Sequence, residues 1–276
     1  MKLQYLGTSA AEGWPAPFCA CEACERARKR GGKDLRTRSQ ALVDDRILID
    51  LPGDTLAHAN QFAIDLSKVN HLLITHSHLD HFSAFDLHMR IDPYQKGTPP
   101  LEVFCNDMVY NTFISSLEFY LLHYRNHLHF HIIHAFDSFD IADYHIEALR
   151  ADHTPTEECL FYRIQRNNEA ILYAHDTGWF PEDTWRYLEG KYHSIVSLDC
   201  TYCLQTETSR HMGLSTCAKV RKRMLEENMA DQNTVFVINH FTHNCAEHNG
   251  HDELASAAAE QGFVTAYDGM VIKSSS

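Results

Sequence analysis

The chain has 276 residues, 44% of them hydrophobic, and a formal net charge of −13. That is enough apolar material for one large domain with a buried core, while no stretch approaches the roughly 20 uninterrupted apolar residues of a membrane helix. Affinity for a long nucleic acid comes mainly from Lys and Arg on phosphates, so so acidic a balance disfavours that class of partner. The one dense basic run, Arg26 to Arg30 with Lys33, Arg36 and Arg38 nearby, reads as a solvated helix face.

Strand character opens the chain at Lys2 to Leu6 and returns over Ala41 to Leu51, with Asp44-Asp45 as a hairpin turn. Between them Gly13-Trp14-Pro15 leads into a loop carrying Phe18-Cys19-Ala20-Cys21-Glu22-Ala23-Cys24. Three thiols so close suit a closed structural zinc site that needs one more ligand. Disulfide pairing would leave a cysteine over, and a redox C-x-x-C is expected to open a helix after a strand, whereas this one follows a Pro- and Gly-containing loop. Thr55 to Lys68 reads as a helix, and Val69 to Ile74 as the apolar strand that leads into Thr75-His76-Ser77-His78-Leu79-Asp80-His81-Phe82. Phe85 to Arg90 and the stretch 108–127 read as helical, and Leu128 to His134 alternates like a strand. Tyr144 to Leu149 alternates as a strand before Asp152-His153-Thr154-Pro155. Ile171 to Ala174 is a short apolar strand ending in His175-Asp176-Thr177-Gly178, and Thr234 to Asn239 is a β-branched run ending in His240. Helices over Ser215 to Asn228 and Asp252 to Gln261, the second stopped by Gly262, and a strand pair within Val264 to Ile272 close the domain. No internal repeat or long linker interrupts residues 1–276, which read as a single domain with a zinc-binding loop at about 17–26; the Ser274 to Ser276 tail is expected to fray.

The H-x-H-x-D-H run carries the chemistry. Side chains two apart on an extended segment point the same way, so His76 and His78 can face one metal. Where the chain then turns toward a helix, Asp80 and His81 can face a second. Three imidazoles and one carboxylate suit Zn²⁺, Fe²⁺ or Mn²⁺, not an all-oxygen calcium cage. In open sheets ligands gather at the carboxyl ends of strands, which adds His153, Asp176 and His240 to the same set.

The order H-x-H-x-D-H, His, Asp, His resembles the metallo-β-lactamase superfamily, from end to end of the chain. The resemblance implies an α/β (α+β) four-layer αββα sandwich. It also implies that His76, His78 and His153 hold one metal, that Asp80, His81 and His240 hold another, and that Asp176 bridges them. His175, next to the bridging acid, is expected to be a neighbour and not a ligand. The pairing of C-x-C-x-x-C with the late H-x-x-H, Leu6-Gly7-Thr8-Ser9-Ala10, Leu48-Ile49-Asp50 and Tyr267-Asp268-Gly269-Met270 resemble one branch, the PhnP-type phosphoribosyl 1,2-cyclic phosphate phosphodiesterases. By that likeness His243 joins Cys19, Cys21 and Cys24 around a structural zinc. A pyrroloquinoline-quinone-biosynthesis family shares the cysteine-rich opening, and tRNA 3′-processing nucleases share the core run. Both stand as alternatives.

The expected protein is therefore a binuclear metal-dependent phosphodiesterase, with two divalent ions (Zn²⁺ or Mn²⁺) and one structural Zn²⁺. It opens a small anionic cyclic phosphodiester with a metal-bridging hydroxide. Asp80 and His211 are the candidate catalytic residues, His211 as proton donor to the leaving oxygen. Arg90 or Arg210 is the candidate grip for a remote phosphate. The histidines of the segment 123–134 lie outside the ligand order and read as structural. The other cysteines (Cys105, Cys159, Cys200, Cys203, Cys217 and Cys245) show no secreted disulfide spacing and read as small buried hydrophobes. With no signal-peptide pattern at the N-terminus, a cytoplasmic location is expected, and the resemblance implies a homodimer.

Overall fold

A computed structural model describes residues 1–205, 209–245 and 250–274. Its strands form two seven-stranded sheets. The first holds β1 (Lys2–Gly7), β2 (Gln40–Val43), β3 (Ile47–Ile49), β4 (His71–Leu73), β5 (Leu101–Cys105), β6 (Leu128–Ile132) and, returning from the far end of the chain, β14 (Val271–Lys273) beside β1. The second holds β7 (Ser138–Ile141), β8 (Tyr144–Arg150), β9 (Leu160–Arg166), β10 (Glu169–Ala174), β11 (Ile195–Asp199), β12 (Val235–Asn239) and β13 (Val264–Thr265). Each sheet mixes an antiparallel half with a parallel half: β1 to β3 are antiparallel and β3 to β6 parallel, while β7 to β10 are antiparallel and β10 to β13 parallel. The β2–β3 hairpin turns at Asp44 and Asp45, both with positive φ (48° and 57°), the mirror-image turn that matches strand twist.

Strand alternation builds the layers. One set of side chains, including Val43, Ile49 and Leu73 from the first sheet and Ile146, Tyr162, Ile164 and Val237 from the second, fills the space between the sheets. The opposite faces take helices. Leu42, Leu48, Leu72 and Val103 pack against α3 (Ala84–His88) and α4 (Asp107–Ser116) through Leu87, Val109 and Phe113. Across the molecule, Leu172, Val196 and Ile238 pack against α5 (Glu182–Leu188), α6 (Leu214–Glu226) and α7 (His251–Glu260) through Trp185, Val220, Met224 and Leu254. Each fully buried side chain of this kind contributes about 1.5–3 kcal/mol by leaving water. The result is the expected αββα sandwich.

Several local expectations change. Thr55 to Lys68 is α2 (Thr55–Gln61) and a separate 3₁₀ turn at Leu66–Lys68. The stretch 108–127 is helical only in α4, with short 3₁₀ turns at Phe119–Leu121 and Tyr124–Asn126, because its apolar spacing does not hold one face beyond Ser116. Val264 to Ile272 is not a strand pair: β13 joins β12 in the second sheet and β14 joins β1 in the first. Cys21-Glu22-Ala23-Cys24 does open a helix, α1 (Glu22–Arg30), with Cys21 at its N-cap. It is preceded by a loop and not by a strand. Arg28, Lys29 and Arg30 of that helix are exposed, as a solvated face should be.

Candidate metal centre

The chain brings its donors to one edge of the sandwich from both sheets. β8, β10, β11 and β12 run in the same direction, so their carboxyl ends deliver His153, Asp176, Asp199 and His240 to one place. From the first sheet, β4 ends just before His76, and the turn after it folds back by His81 N–H to His78 O (2.9 Å) and Phe82 N–H to His78 O (2.8 Å). That fold gives the segment two donor faces. His76, His78 and His153 form one group of donor atoms, and Asp80, His81, Asp176 and His240 form a second. His78 Nδ1 lies 3.0 Å from His76 Nε2 and 3.1 Å from His153 Nε2. Asp176 stands between the groups: Oδ2 is in contact with His81 Nε2, 3.2 Å from His240 Nε2 and 3.8 Å from His76 Nε2, and Oδ1 is 4.0 Å from His153 Nε2.

Two features of this arrangement fit divalent metal ions. Asp176 Oδ2 is buried among three imidazole nitrogens yet has no hydrogen bond of proper geometry, an acceptor without a donor. The donor chemistry, imidazole with carboxylate, is that of zinc, iron or manganese. The electrostatics agree in sign. Burial alone would neutralise Asp80 and Asp176, but the neighbouring imidazoles, His81 foremost for Asp80 and His240 for Asp176, hold both carboxyls well below the usual range. Burial likewise pushes His81 down, and Asp176, Asp80 and Asp50 overcome it and hold His81 well above its ordinary value. A field that holds a proton on a fully buried imidazole favours any cation placed there. His76 and His153, with less opposing charge, are lowered by burial.

A shell of buried acceptors orients the rings. His81 donates from Nδ1 to Asp50 Oδ2 (2.7 Å), and Asp50 also takes the Thr75 N–H at 2.8 Å. His240 Nδ1 is 2.8 Å from Thr201 Oγ1, whose hydroxyl donates to Asp199 Oδ2 at 3.1 Å. These partners leave Nε2 of both rings toward the cluster. Glu157 clamps the turn, accepting from Ser77 N–H (2.8 Å) and Oγ–H (2.7 Å). Asp50, Asp176 and His240 all adopt positive φ (65°, 50° and 64°), a conformation costing about 1–3 kcal/mol for residues other than glycine and typical of functional sites.

His211 lies beside this cluster, on the loop before α6. Its Nδ1 is 3.0 Å from Asp199 Oδ2 and 3.4 Å from Asp176 Oδ1, and its ring stacks 5.9 Å from that of His240. Burial opposes its charge, but Asp199 above all raises its pKa to about 9. The loop is tightly seated: a Cβ on Gly213 would fall 1.6 Å from the Gln205 carbonyl oxygen.

Sequence reasoning missed Asp50, Thr201, Glu157 and Asp199 as site residues. Asp199 had a readable signal, since it ends an apolar strand as Asp176 nearly does. His175 is, as expected, outside the donor groups; it is buried, with Nε2 2.8 Å from Ser197 Oγ. The remaining His-rich segment is also separate: His129 and His131 both bond Glu102, at 2.8 and 2.6 Å, on exposed strand β6. Arg90 is not a phosphate grip. It lies on the helix-covered face of the first sheet, reaching the Val69 and Pro99 carbonyls. Arg210 is exposed and, like Arg90, does not line the cavity over the donors, which contributes about 340 Å³.

The second cluster also assembles. Cys19, Cys21, Cys24 and His243 place one donor atom each within 4.8 Å of one another, with His243 Nδ1 3.4 Å from Cys21 Sγ and 3.9 Å from Cys19 Sγ. Burial raises the Cys21 thiol, but bonds to the Cys24 backbone, Cys19 and His243 outweigh it and lower the pKa to about 6; burial raises Cys24 to about 12. Cys105, Cys159, Cys200, Cys203 and Cys217 are buried in the core as free thiols, Cys200 beside Cys217, and the Cys245 side chain lies outside the described residues.

The family description "beta-lactamase superfamily domain" matches residues 45–230, and the chain belongs to the metallo-β-lactamase superfamily. No curated protein sequence matches it. Among solved structures, a diphosphatase of the PhnP family is 19% identical over 98% of this chain and 96% of its own, with a TM-score of 0.72. Zinc-bound PqqB from Methylobacterium extorquens is 16% identical over 99% of this chain and all of its own (100%), with a TM-score of 0.73. The short form of human tRNase Z is 18% identical and covered throughout (100% of both chains), with a TM-score of 0.66. At these identities the likeness establishes the fold. Among the described residues, no helix is long and apolar enough to cross a membrane.

Proposed function

We propose that the protein is a binuclear metal-dependent hydrolase of small phosphodiesters, cyclic ribose phosphates among them. The observation that carries this reading is the pair of donor groups that meet at Asp176, with the His211–Asp199 pair alongside. His76, His78 and His153 would hold one ion, Asp80, His81 and His240 the other, and Asp176 both. Divalent ions in such a site supply Lewis acidity and a water acidic enough to be hydroxide near neutral pH. The chain's own residues do the rest. Asp50 and Thr201 fix the His81 and His240 rings. Asp199 keeps a proton on the His211 imidazole, which can be passed to the departing alkoxide. Cys19, Cys21, Cys24 and His243 would hold a structural zinc, and His243 lies only three residues after His240, so the two sites share one short loop.

The test is turnover by zinc- or manganese-loaded protein of ribose 1,2-cyclic phosphate 5-phosphate, a nucleoside 2′,3′-cyclic phosphate, a bis-aryl phosphodiester and a β-lactam, beside an Asp80→Ala control. Cleavage of a diester that Asp80→Ala abolishes supports the reading. Silence on every diester by protein holding its metals refutes it.

A further inference from the structure

The cavity over the donor groups is open to solvent on one side, and whatever part of a substrate does not react must lie against its wall. That wall is made of Ala10, Glu12, Thr201, Tyr202, Thr242 and Asn244 beside the metal-type residues. No Lys or Arg lines it among the described residues, and the stretches outside the description, 206–208, 246–249 and 275–276, carry none in sequence. Arg38, which reaches the loop next to this wall, is spent on the Ala11 carbonyl (3.1 Å) and on Asp54. The one charged side chain on the wall that belongs to neither donor group nor the His211 pair is the carboxylate Glu12. Its Oε1 accepts the Thr242 hydroxyl and lies 3.8 Å from His243 Nε2, while Oε2 takes no hydrogen bond from a described residue. Thr242 and His243 thus fix Glu12 at the mouth of the cavity, with 29% of its side chain exposed.

We infer that Glu12 is a specificity-determining residue that selects phosphodiesters whose unreacted arm is cationic or neutral and disfavours those carrying a second anionic group. The inference deepens the proposed function and rests on it for the seat of the reacting phosphate. Recognising a second phosphate takes Arg, Lys or a cradle of N–H donors, and here the wall offers a carboxylate, hydroxyls and an amide. A fixed carboxylate instead attracts an ammonium and repels a carboxylate or phosphate, and like charges set against each other are a common source of discrimination. On this view a ribose 1,2-cyclic phosphate with a free 5-hydroxyl is a better substrate than its 5-phosphorylated form.

The test uses arms of equal size and different charge. Metal-loaded protein is titrated calorimetrically with three phosphate monoesters, 2-aminoethyl, ethyl and carboxymethyl phosphate. The matching 4-nitrophenyl diesters are assayed for cleavage in parallel. The expected order of affinity is aminoethyl, ethyl, carboxymethyl, with about tenfold between the ends, which corresponds to about 1.4 kcal/mol. In Glu12→Gln, which keeps an acceptor for Thr242, the spread collapses to within about twofold while zinc bound per chain is unchanged. Equal binding of the three esters, a preference for the carboxymethyl arm, or a spread that survives Glu12→Gln overturns the inference. Cleavage is scored separately: ordered binding with no hydrolysis of any diester refutes the phosphodiesterase reading and leaves the role of Glu12 standing.

Discussion

Replacing Asp50 with Asn tests how far the site depends on a residue that belongs to neither donor group but bonds one of the candidate ligands, His81. Asp50 is fully buried, and its φ of 65° is one that Asn also tolerates well, so the backbone has no reason to move. Asn can still accept the Thr75 N–H through its carbonyl oxygen. What changes is the atom facing His81 Nδ1, 2.7 Å away, which becomes an NH₂ donor. Two donors then face each other in a dry site. The imidazole relieves this by moving its proton to Nε2, the nitrogen that faces Asp176 and would bind a metal. Loss of such a support for a ligating histidine weakens metal binding about 10–100-fold, or about 1.4–2.7 kcal/mol. If the proton instead stays on Nδ1, the two unmatched donors cost about 1–3 kcal/mol of stability. Competition with a chromogenic chelator resolves the two active-site ions. The expectation is that one of them, the Asp80–His81–His240 ion, is lost at about tenfold or more lower chelator concentration, while the other, on His76, His78 and His153, changes much less. If Asp50→Asn holds both ions as tightly as wild type, the claim that Asp50 sets the His81 tautomer is wrong.

Three further outcomes are expected. His211→Ala should lower kcat/KM at least about a hundredfold against a diester with a poor leaving group, and a value within about threefold of wild type removes His211 as proton donor. Cys24→Ser should release one zinc per chain from the Cys19–Cys21–Cys24–His243 cluster, measured by elemental analysis, whereas unchanged zinc content rules out a structural site there. His193 gives a pH signature away from the site: fully buried, it accepts from Arg163 Nε (3.2 Å) and reaches the Met229 carbonyl (3.0 Å), and burial lowers its pKa to about 3. Because the folded value lies below the unfolded one, its contribution is complete above about pH 6.5 and is lost as pH falls toward 3. Between pH 7 and about pH 4.5 that amounts to roughly 2–3 kcal/mol, a loss that should largely vanish in His193→Asn; denaturant titrations of the two proteins at both pH values decide it.

Much of the site was legible because its donors announce themselves. A run of four ligand-type residues at a strand end is hard to explain otherwise, and His153, Asp176 and His240 each follow an apolar stretch of strand character. The supporting residues were not legible for a physical reason: a lone Asp50, Thr201 or Glu157 becomes meaningful only when folding brings a ring nitrogen or backbone N–H within hydrogen-bond reach. Alternation marked individual strands and the family resemblance implied the fold's layers, but the partners of short strands could not be read. Val264–Thr265 and Val271–Lys273 sit six residues apart in sequence and in different sheets, a choice made by which neighbour, β12 or β1, offers a free edge. Arg90 misled for a related reason. A guanidinium suits a phosphate anywhere, but this one is occupied by main-chain carbonyls behind the sheet.

The donors around Asp176 come from both halves of the sandwich, residues 76–81 from one sheet and His153, Asp176 and His240 from the other. Ions seated there would act as rivets across a seam. A site at a hundredfold excess of ion over its dissociation constant adds about 2.7 kcal/mol to the folded state, a sizeable share of the roughly 5–15 kcal/mol that holds a typical protein together. Supply of the ion would then bear on the stability of the fold as well as on the proposed chemistry. A chain without its ions would lack that term, so thermal stability should rise with the concentration of free ion.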